Sequence, residues 1–344
     1  MATQQLTQKE KIAVIISGVL FLLFVMSLFW QRTPRILIVH SYNLDYVWTA
    51  DLDKSIHSIL DGQSYDIQRI FMDTKRKSSI EDKQQAGKDV QEKIEQWKPD
   101  IIIAADDDAQ EYAVKKYVNT SMKILFCGVN KELEDYGYDK ATNVTGMLER
   151  QDYLNIKNIL YHLSPSQQKR FFHLSEDSTT ALGTRKELEI VDWSPVKFVS
   201  SMQAKTFEDW KKAVAEAANI SDLIVVSQYY GVKKDAETTD TIPPQDIIRW
   251  TLDNSKIPVI GLFQFFVEDG GAFSAGPSEQ EHGEFVAKTA IDLLEKKVKI
   301  KDVPITKNKH FMLSIRNKQG KITKRRMLEL DLSAIYDVYA LLGK

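Results

Sequence analysis

The stretch Arg35-Ile-Leu-Ile-Val-His40-Ser-Tyr-Asn-Leu-Asp-Tyr-Val-Trp48-Thr49 decides the fold class. Its first half is a short unbroken run of β-branched and aliphatic residues, the pattern of a strand buried on both faces. Its second half turns polar and aromatic, and a helical pattern starts at Leu52. The same change recurs at Ile101–Ala105, where Asp106-Asp-Asp108 follows, and at Ile124–Cys127, where Gly128-Val-Asn130 follows. Further apolar runs stand at Leu223–Val226, Val259–Phe263 and Phe311–Ile315. Between them lie helical patterns at Leu52–Leu60, Ile80–Trp97, Ala109–Val118, Tyr153–Tyr161, Phe207–Asn219, Pro244–Asp253 and Gly283–Lys297. Strands separated by helices need crossover connections, which predicts an α/β fold of parallel sheets covered on both faces. The alternation runs twice, from Arg35 to about Gly146 and from about Met147 to Ala275. A length of 344 residues suits two such units.

Upstream, Ile12 to Trp30 is 19 residues without a charge. As a helix it would be about 28 Å long, about one hydrocarbon core. It ends Ser27-Leu-Phe-Trp30, with large residues where a signal peptidase requires small ones, and Trp30 suits a membrane interface. The sequence therefore predicts a retained transmembrane anchor over 12–30 behind a cytoplasmic tail, 1–11. Lys9 and Lys11 on one side nearly balance Arg32 and Arg35 on the other, so charge alone leaves the orientation open. Only four residues, Gln31–Pro34, separate the apolar stretch from the first strand, which keeps the folded part close to the bilayer.

With 46 basic and 48 acidic residues the formal charge is −2, which gives no reason to expect nucleic acid as a partner. Cys127 is the only cysteine, so no disulfide within the chain can form. It follows a buried run and has no base beside it, the setting of a core thiol. Phosphate-loop, nucleophile-elbow and zinc-helix motifs are missing, and the six histidines have no ligand spacing, so neither catalysis nor a metal or cofactor is expected. The basic run Lys318–Arg326, with turn residues Gln319-Gly320, reads as a solvated hairpin.

In open parallel sheets ligands bind beyond the carboxyl ends of the strands. That rule selects Ser41, Tyr42, Tyr46 and Trp48 after the first strand. Beyond the next two strands it selects Asp106 with Asp107, and Asn130. In the second half it selects Asp177, Gln228 with Tyr229, and Gln264 with Phe265. Aromatic rings with polar tips offer apolar area and orienting bonds to a small organic molecule, and carboxylates would receive an amine or hydroxyl. Several of these groups have structural explanations too: Thr49 or Asp51 can cap the helix from Leu52, and acids favour a helix start at Asp107 and Asp108.

The stretches His40-Ser-Tyr…Tyr46-Val-Trp48-Thr49, Ala105-Asp-Asp-Asp-Ala109, Phe126-Cys-Gly-Val-Asn130 and Asn143-Val-Thr-Gly146, with the helix Gly283–Lys297 and Asp302-Val-Pro304, resemble the ABC-transporter substrate-binding-like family of type I periplasmic binding proteins. The likeness runs in order from Arg35 to about Asn317. It implies two Rossmann-like lobes joined by a three-stranded hinge and closing on a small ligand such as an aromatic amino acid. Lobe 1 would comprise 34–146 with about 276–302, and lobe 2 would comprise 147–275 with about 303–344. The first crossing would lie at Asn143–Gly146, with a recrossing near Gly270–Ser274. The form is most similar to sensor-type members, which places the folded part in the periplasm of a bacterium, on a single-pass inner-membrane anchor. A signalling protein in that membrane is then the expected partner; an ABC permease is the alternative. A hydrolase or transferase using Asp106–Asp108 ranks below both.

Overall fold

The structure, a computed structural model, describes residues 7–29 and 32–329, the first of these without side chains from residue 23 on. Two sheets organise it. The first contains β1 (Arg35–His40), β2 (Asp66–Phe71), β3 (Ile101–Ala105), β4 (Lys123–Val129) and β5 (Val144–Leu148). The second contains β6 (Arg170–Glu176), β7 (Lys197–Ala204), β8 (Leu223–Val226), β9 (Val259–Gly261) and β10 (Phe273–Pro277). A two-residue strand, β11 (Thr306–Lys307), returns to the edge of the first sheet, and β12 (Phe311–Arg316) and β13 (Ile322–Met327) extend the second.

The first sheet runs β11-β5-β4-β3-β1-β2 and is parallel throughout. The second runs β13-β12-β10-β9-β8-β6-β7, parallel as far as β10 and antiparallel at β12 and β13. In both, the second strand lies outside the first and the third on its other side. This order reverses the direction of winding between β1 and β3 and again between β6 and β8. Such switch points leave a crevice at the carboxyl ends of the two strands because the flanking connections depart to opposite faces.

All six apolar runs of the sequence are strands, and the helix over Ile80–Trp97 has the expected bounds. Ser79 caps it through Asp82 N–H, and Gly87 lets it lie against the backbone of Tyr112, whose carbonyl oxygen would be 2.3 Å from a Cβ. The helix expected over Gly283–Lys297 begins one turn earlier, at Glu279, because Ser278 caps it. The segment Ala109–Val118 is a π-turn followed by a 3-10 turn. Lys318–Arg326 does form a hairpin, β12 to β13, with Gly320 at φ +82° in the turn.

Three expected boundaries shift. β5 continues through Leu148, so the chain leaves the first sheet after the motif Asn143–Gly146 and not within it. Gly270–Ser274 does not cross back, since β10 stays in the second sheet to Pro277. The chain then returns through the helix Glu279–Leu294, and β11 belongs to the first sheet although the second lobe was expected from about residue 303. Three passages between the sheets result.

The N-terminal stretch is a helix, Gln8–Phe29, and its large apolar side chains from Ile12 to Leu22 are 53–67% exposed. Among the described residues no helix is long and apolar enough to cross a membrane. Of the span expected over 12–30, the part with described side chains ends at Leu22 and would reach only about 16 Å, about half a hydrocarbon core. The remainder lies outside the described side chains.

Close backbone approach makes Gly276 in β10 a sensitive position: a Cβ there would lie 1.9 Å from the Leu262 carbonyl oxygen. Gly276→Ala should lower the urea midpoint with an unchanged m-value, corresponding to about 1–3 kcal/mol.

Candidate functional site

Both switch points open toward one another. The turn after β1 contributes Tyr42, Tyr46 and Trp48, and these three rings pack into the hydrophobic core of the second lobe. Tyr46 lies 4.7 Å from the Tyr230 ring and 5.5 Å from Phe265, and Trp48 meets Phe263 edge-on at 6.3 Å. The lobes are thus closed on each other. The floor of the cleft, between Tyr42, Tyr46, Trp48, Asp106, Glu149, Gln228 and Phe263, retains only about 10 Å³ of space. Farther out the cleft widens into a cavity of about 700 Å³. Tyr42, Thr74, Lys75, Lys83 and Asp108 of the first lobe line it, and Glu176, Asp177, Thr180, Lys205 and Lys233 face them from the second. Tyr42 and Lys75 border both spaces.

Lys75 leaves the loop after β2, where Thr74 is fixed by its backbone N–H and its hydroxyl, both donating to the Ser41 carbonyl at 3.0 and 2.8 Å. Its ammonium donates to Glu176 Oε1 at 2.8 Å, across the cleft, with both side chains buried. It also lies 4.7 Å from the centre of the Tyr42 ring and 5.1 Å from that of Tyr46. A cation against aromatic faces gains from their negative quadrupole, more so away from water. Burial by itself would raise the Glu176 carboxyl, but the Lys75 charge and hydrogen bond, with the Gly231 N–H, bring its pKa below the ordinary value. The Tyr42 hydroxyl and Thr180 Oγ1, 2.9 Å apart, form a second polar link between the lobes.

The other carboxyls of the floor lack such compensation. Asp106 stands at the end of β3 with φ +64°, a left-handed conformation costly for a residue with a Cβ. It is 3% exposed and its Oδ2 has no hydrogen-bond partner. Burial and then the neighbouring Asp107 push its pKa well up, against the opposing pull of Lys75. Glu149, also buried, is pushed well up by desolvation and then by Asp106. Among the described residues Lys75 is the one buried lysine or arginine.

Other residues selected from sequence have structural partners. Ser41 Oγ donates to the Ala105 carbonyl and receives the Ala109 N–H, both at 2.7 Å, tying β1 to the turn after β3. Asp107 accepts from the Tyr136 hydroxyl at 2.8 Å and from the backbone N–H groups of Asn130 and Lys131. The Asn130 amide itself donates to the Gly128 carbonyl. Tyr229 donates to Asp269 at 2.6 Å, Gln264 to Asp51, and Phe265 stacks on Phe263 at 5.2 Å. Gln228 donates to Thr184 at 3.1 Å while its Oε1 has no partner on the cleft floor. Asp177 is exposed at the cavity rim, 3.6 Å from Lys205. Tyr42, Tyr46, Trp48, Asp106 and Gln228 therefore meet around the floor, and Asp177 stands at the mouth. Ser41, Asp107, Asn130, Tyr229, Gln264 and Phe265 hold that frame. Cys127 is buried in the first lobe, and burial raises its thiol well above the ordinary value.

Sequence reading missed Lys75, Glu149 and Glu176. Lys75 follows a strand, Asp66-Ile-Gln-Arg-Ile-Phe71, that has no apolar run because it is an edge strand, only partly buried. The signal available was the turn-like Asp73-Thr-Lys-Arg-Lys-Ser78 after Ile67, Ile70 and Phe71.

No family model matches the chain, and no curated protein matches it. Solved structures do. A conserved domain protein from Vibrio cholerae superposes with a TM-score of 0.62 at 16% identity, over 84% of this chain and 93% of that one. An ABC domain in complex with L-Trp from Streptococcus pneumonia gives 0.60 at 14%, over 83% and 92%. The complex of the TorS sensor domain with TorT, solved without ligand, gives 0.54 at 12%, over 88% and 95%. Together with the order of the two sheets, these likenesses define the fold as that of a type I periplasmic binding protein, two α/β lobes with facing strand ends.

The raised pKa of Asp106 has a measurable consequence. Between the ordinary value of 3.8 and its raised value, the folded chain holds a proton that the unfolded chain has lost, so this group's contribution to stability falls as pH rises through that window. Asp106→Asn should raise Tm at pH 7, at about 2–4 °C per kcal/mol recovered, and the gain should vanish below pH 3.8. Calorimetry across pH 3–8 measures both.

Proposed function

We propose that this chain is an extracytoplasmic binding protein that captures a small, amine-bearing organic molecule between its lobes and transforms nothing. The observation that carries the reading is the cleft itself: strand-end loops of two sheets converge on buried, incompletely neutralised carboxyls beside tyrosine and tryptophan rings. Asp106 and Glu149 would make the floor favourable to an ammonium beside it, Tyr42 and Trp48 would cover an apolar body, and Gln228 Oε1 would supply an acceptor. The L-Trp carried by the Streptococcus pneumonia neighbour is a molecule of this chemistry. Ligand would favour the closed arrangement by binding both lobes at once, in proportion to its differential affinity for that state.

The helix Gln8–Phe29 would hold the protein to the bacterial inner membrane with the lobes in the periplasm. Support comes from the exposed large apolar side chains between Ile12 and Leu22, which call for a non-aqueous environment or a partner. Closure would then be read by a signalling protein in the same membrane, and the likeness to a complex containing a sensor domain favours this role. Delivery to an ABC permease is the second reading, favoured by the likeness to an ABC domain.

A thermal-shift screen of the full chain in detergent against amino acids and biogenic amines tests the binding claim. A ligand at 100 times its dissociation constant should stabilise the protein by about 2.7 kcal/mol. Trp48→Ala and Asp106→Ala should each reduce that shift. Failure of every amine and amino acid to shift Tm would defeat the reading. The anchoring claim is tested by alkaline carbonate extraction of membranes: the protein should stay in the pellet, and release into the supernatant would refute a membrane-spanning helix.

A further inference from the structure

The closed cleft holds a cation already. The Lys75 ammonium lies on the Tyr42 and Tyr46 faces at 4.7 and 5.1 Å, with Glu176 at 2.8 Å and its charge felt at Asp106. Two aromatic faces with a desolvated carboxylate are what a free primary amine requires of a binding site. The site is continuous with the 700 Å³ cavity, which Tyr42, Lys75 and Glu176 all line, so an amine seated there would have room for its body on the outer side. The loop beneath is fixed through Thr74, whose N–H and hydroxyl both donate to the Ser41 carbonyl, so its anchorage does not depend on the Lys75 ammonium.

Resting on the binding function proposed above, we infer that the niche of Tyr42, Tyr46 and Glu176 is the seat for the ligand's primary ammonium, and that Lys75 is its tethered occupant, latching the lobes until a free amine displaces it. The ligand class follows: a primary amine, its ammonium in the niche and its body in the outer cavity. The latch also sets a threshold, since an incoming amine must compete with an internal one at high effective concentration.

The test uses the full chain in detergent and n-propylammonium, which replaces the atoms removed by Lys75→Ala, with n-propanol and propionate as controls. Lys75→Ala should expand the molecule by small-angle scattering and lower Tm. Propylammonium should reverse both and should bind this variant about tenfold or more tighter than the wild type, whereas the controls should do neither. Adding Glu176→Gln should abolish the rescue while circular dichroism stays native. Should Lys75→Ala fail to fold, Glu176→Gln alone serves: it should expand the wild-type chain and weaken propylammonium binding. Equal or absent propylammonium responses in wild type and variant, or rescue by propionate, would overturn the inference. Other compounds that still shift the wild type in that event would leave the binding function standing, whereas a protein that answers to no compound would lose both.

Discussion

An ammonium and a carboxylate taken from water cost several kcal/mol each, and their attraction offsets this only where the geometry is good and the remaining hydrogen-bonding capacity is met. Lys75 and Glu176 come from different lobes, so this pair exists only while the lobes are shut. In the open state both groups would be hydrated and cost little. In the closed state they must be in register, with the Gly231 N–H on Glu176 and two tyrosine faces around the ammonium. The pair therefore fixes the closed geometry more than it deepens the minimum. Much of the attraction between lobes comes from apolar contact, since Tyr42, Tyr46 and Trp48 bury themselves among Phe263, Phe265 and Tyr230.

That division of labour accounts for the strained, uncompensated groups beside it. A left-handed Asp106 with an unpartnered oxygen and a buried Glu149 both oppose folding, and neither would persist in a cleft selected for stability alone. In the function proposed above, their cost would fall when a cation arrives, and binding energy would then favour closure. His282, whose Nδ1 faces the Gly128 N–H, lies 5.8 Å from Trp48 and is held neutral by burial, its pKa lowered to about 4. It supplies shape at neutral pH and no positive charge to compete with Lys75.

The parallel core was legible because strands buried on both faces favour apolar side chains: β3 and β8 are aliphatic throughout, and β1 and β4 contain the apolar runs Ile36–Val39 and Ile124–Cys127. The strand-end loops followed from where those apolar runs stop, and with them Tyr42, Trp48 and Asp106. Edge strands escaped notice. β2 and β7 are only partly buried, so Asp66–Phe71 and Lys197–Ala204 carry charge and hydroxyl groups within the strand, and the loop bearing Lys75 had no strand to follow. Nor does sequence reveal that Ser41 and Asp107 spend their bonding capacity on structural partners, because these lie 64 and 29 residues away, at the Ala105 carbonyl and the Tyr136 hydroxyl. Asp107 and Asp106 are adjacent and chemically identical, but Asp106, in the left-handed turn, has an oxygen, Oδ2, without a hydrogen-bond partner.

The same strand polarity orders the molecule from end to end. The chain enters at the amino ends of β1 and β3, where Arg32 donates to the Lys98 carbonyl at 2.6 Å, the Arg35 N–H donates to Asp100 at 2.8 Å, and the Arg35 guanidinium to the Trp97 carbonyl at 2.6 Å. These bonds fix the start of the first lobe to its own sheet. The cleft lies at the opposite, carboxyl end, one strand length or about 20 Å away. A tether at the entry would thus immobilise the first lobe and leave the second attached only through the three passages between the sheets. Under that constraint, breaking the Lys75–Glu176 contact would move the second lobe and not the first.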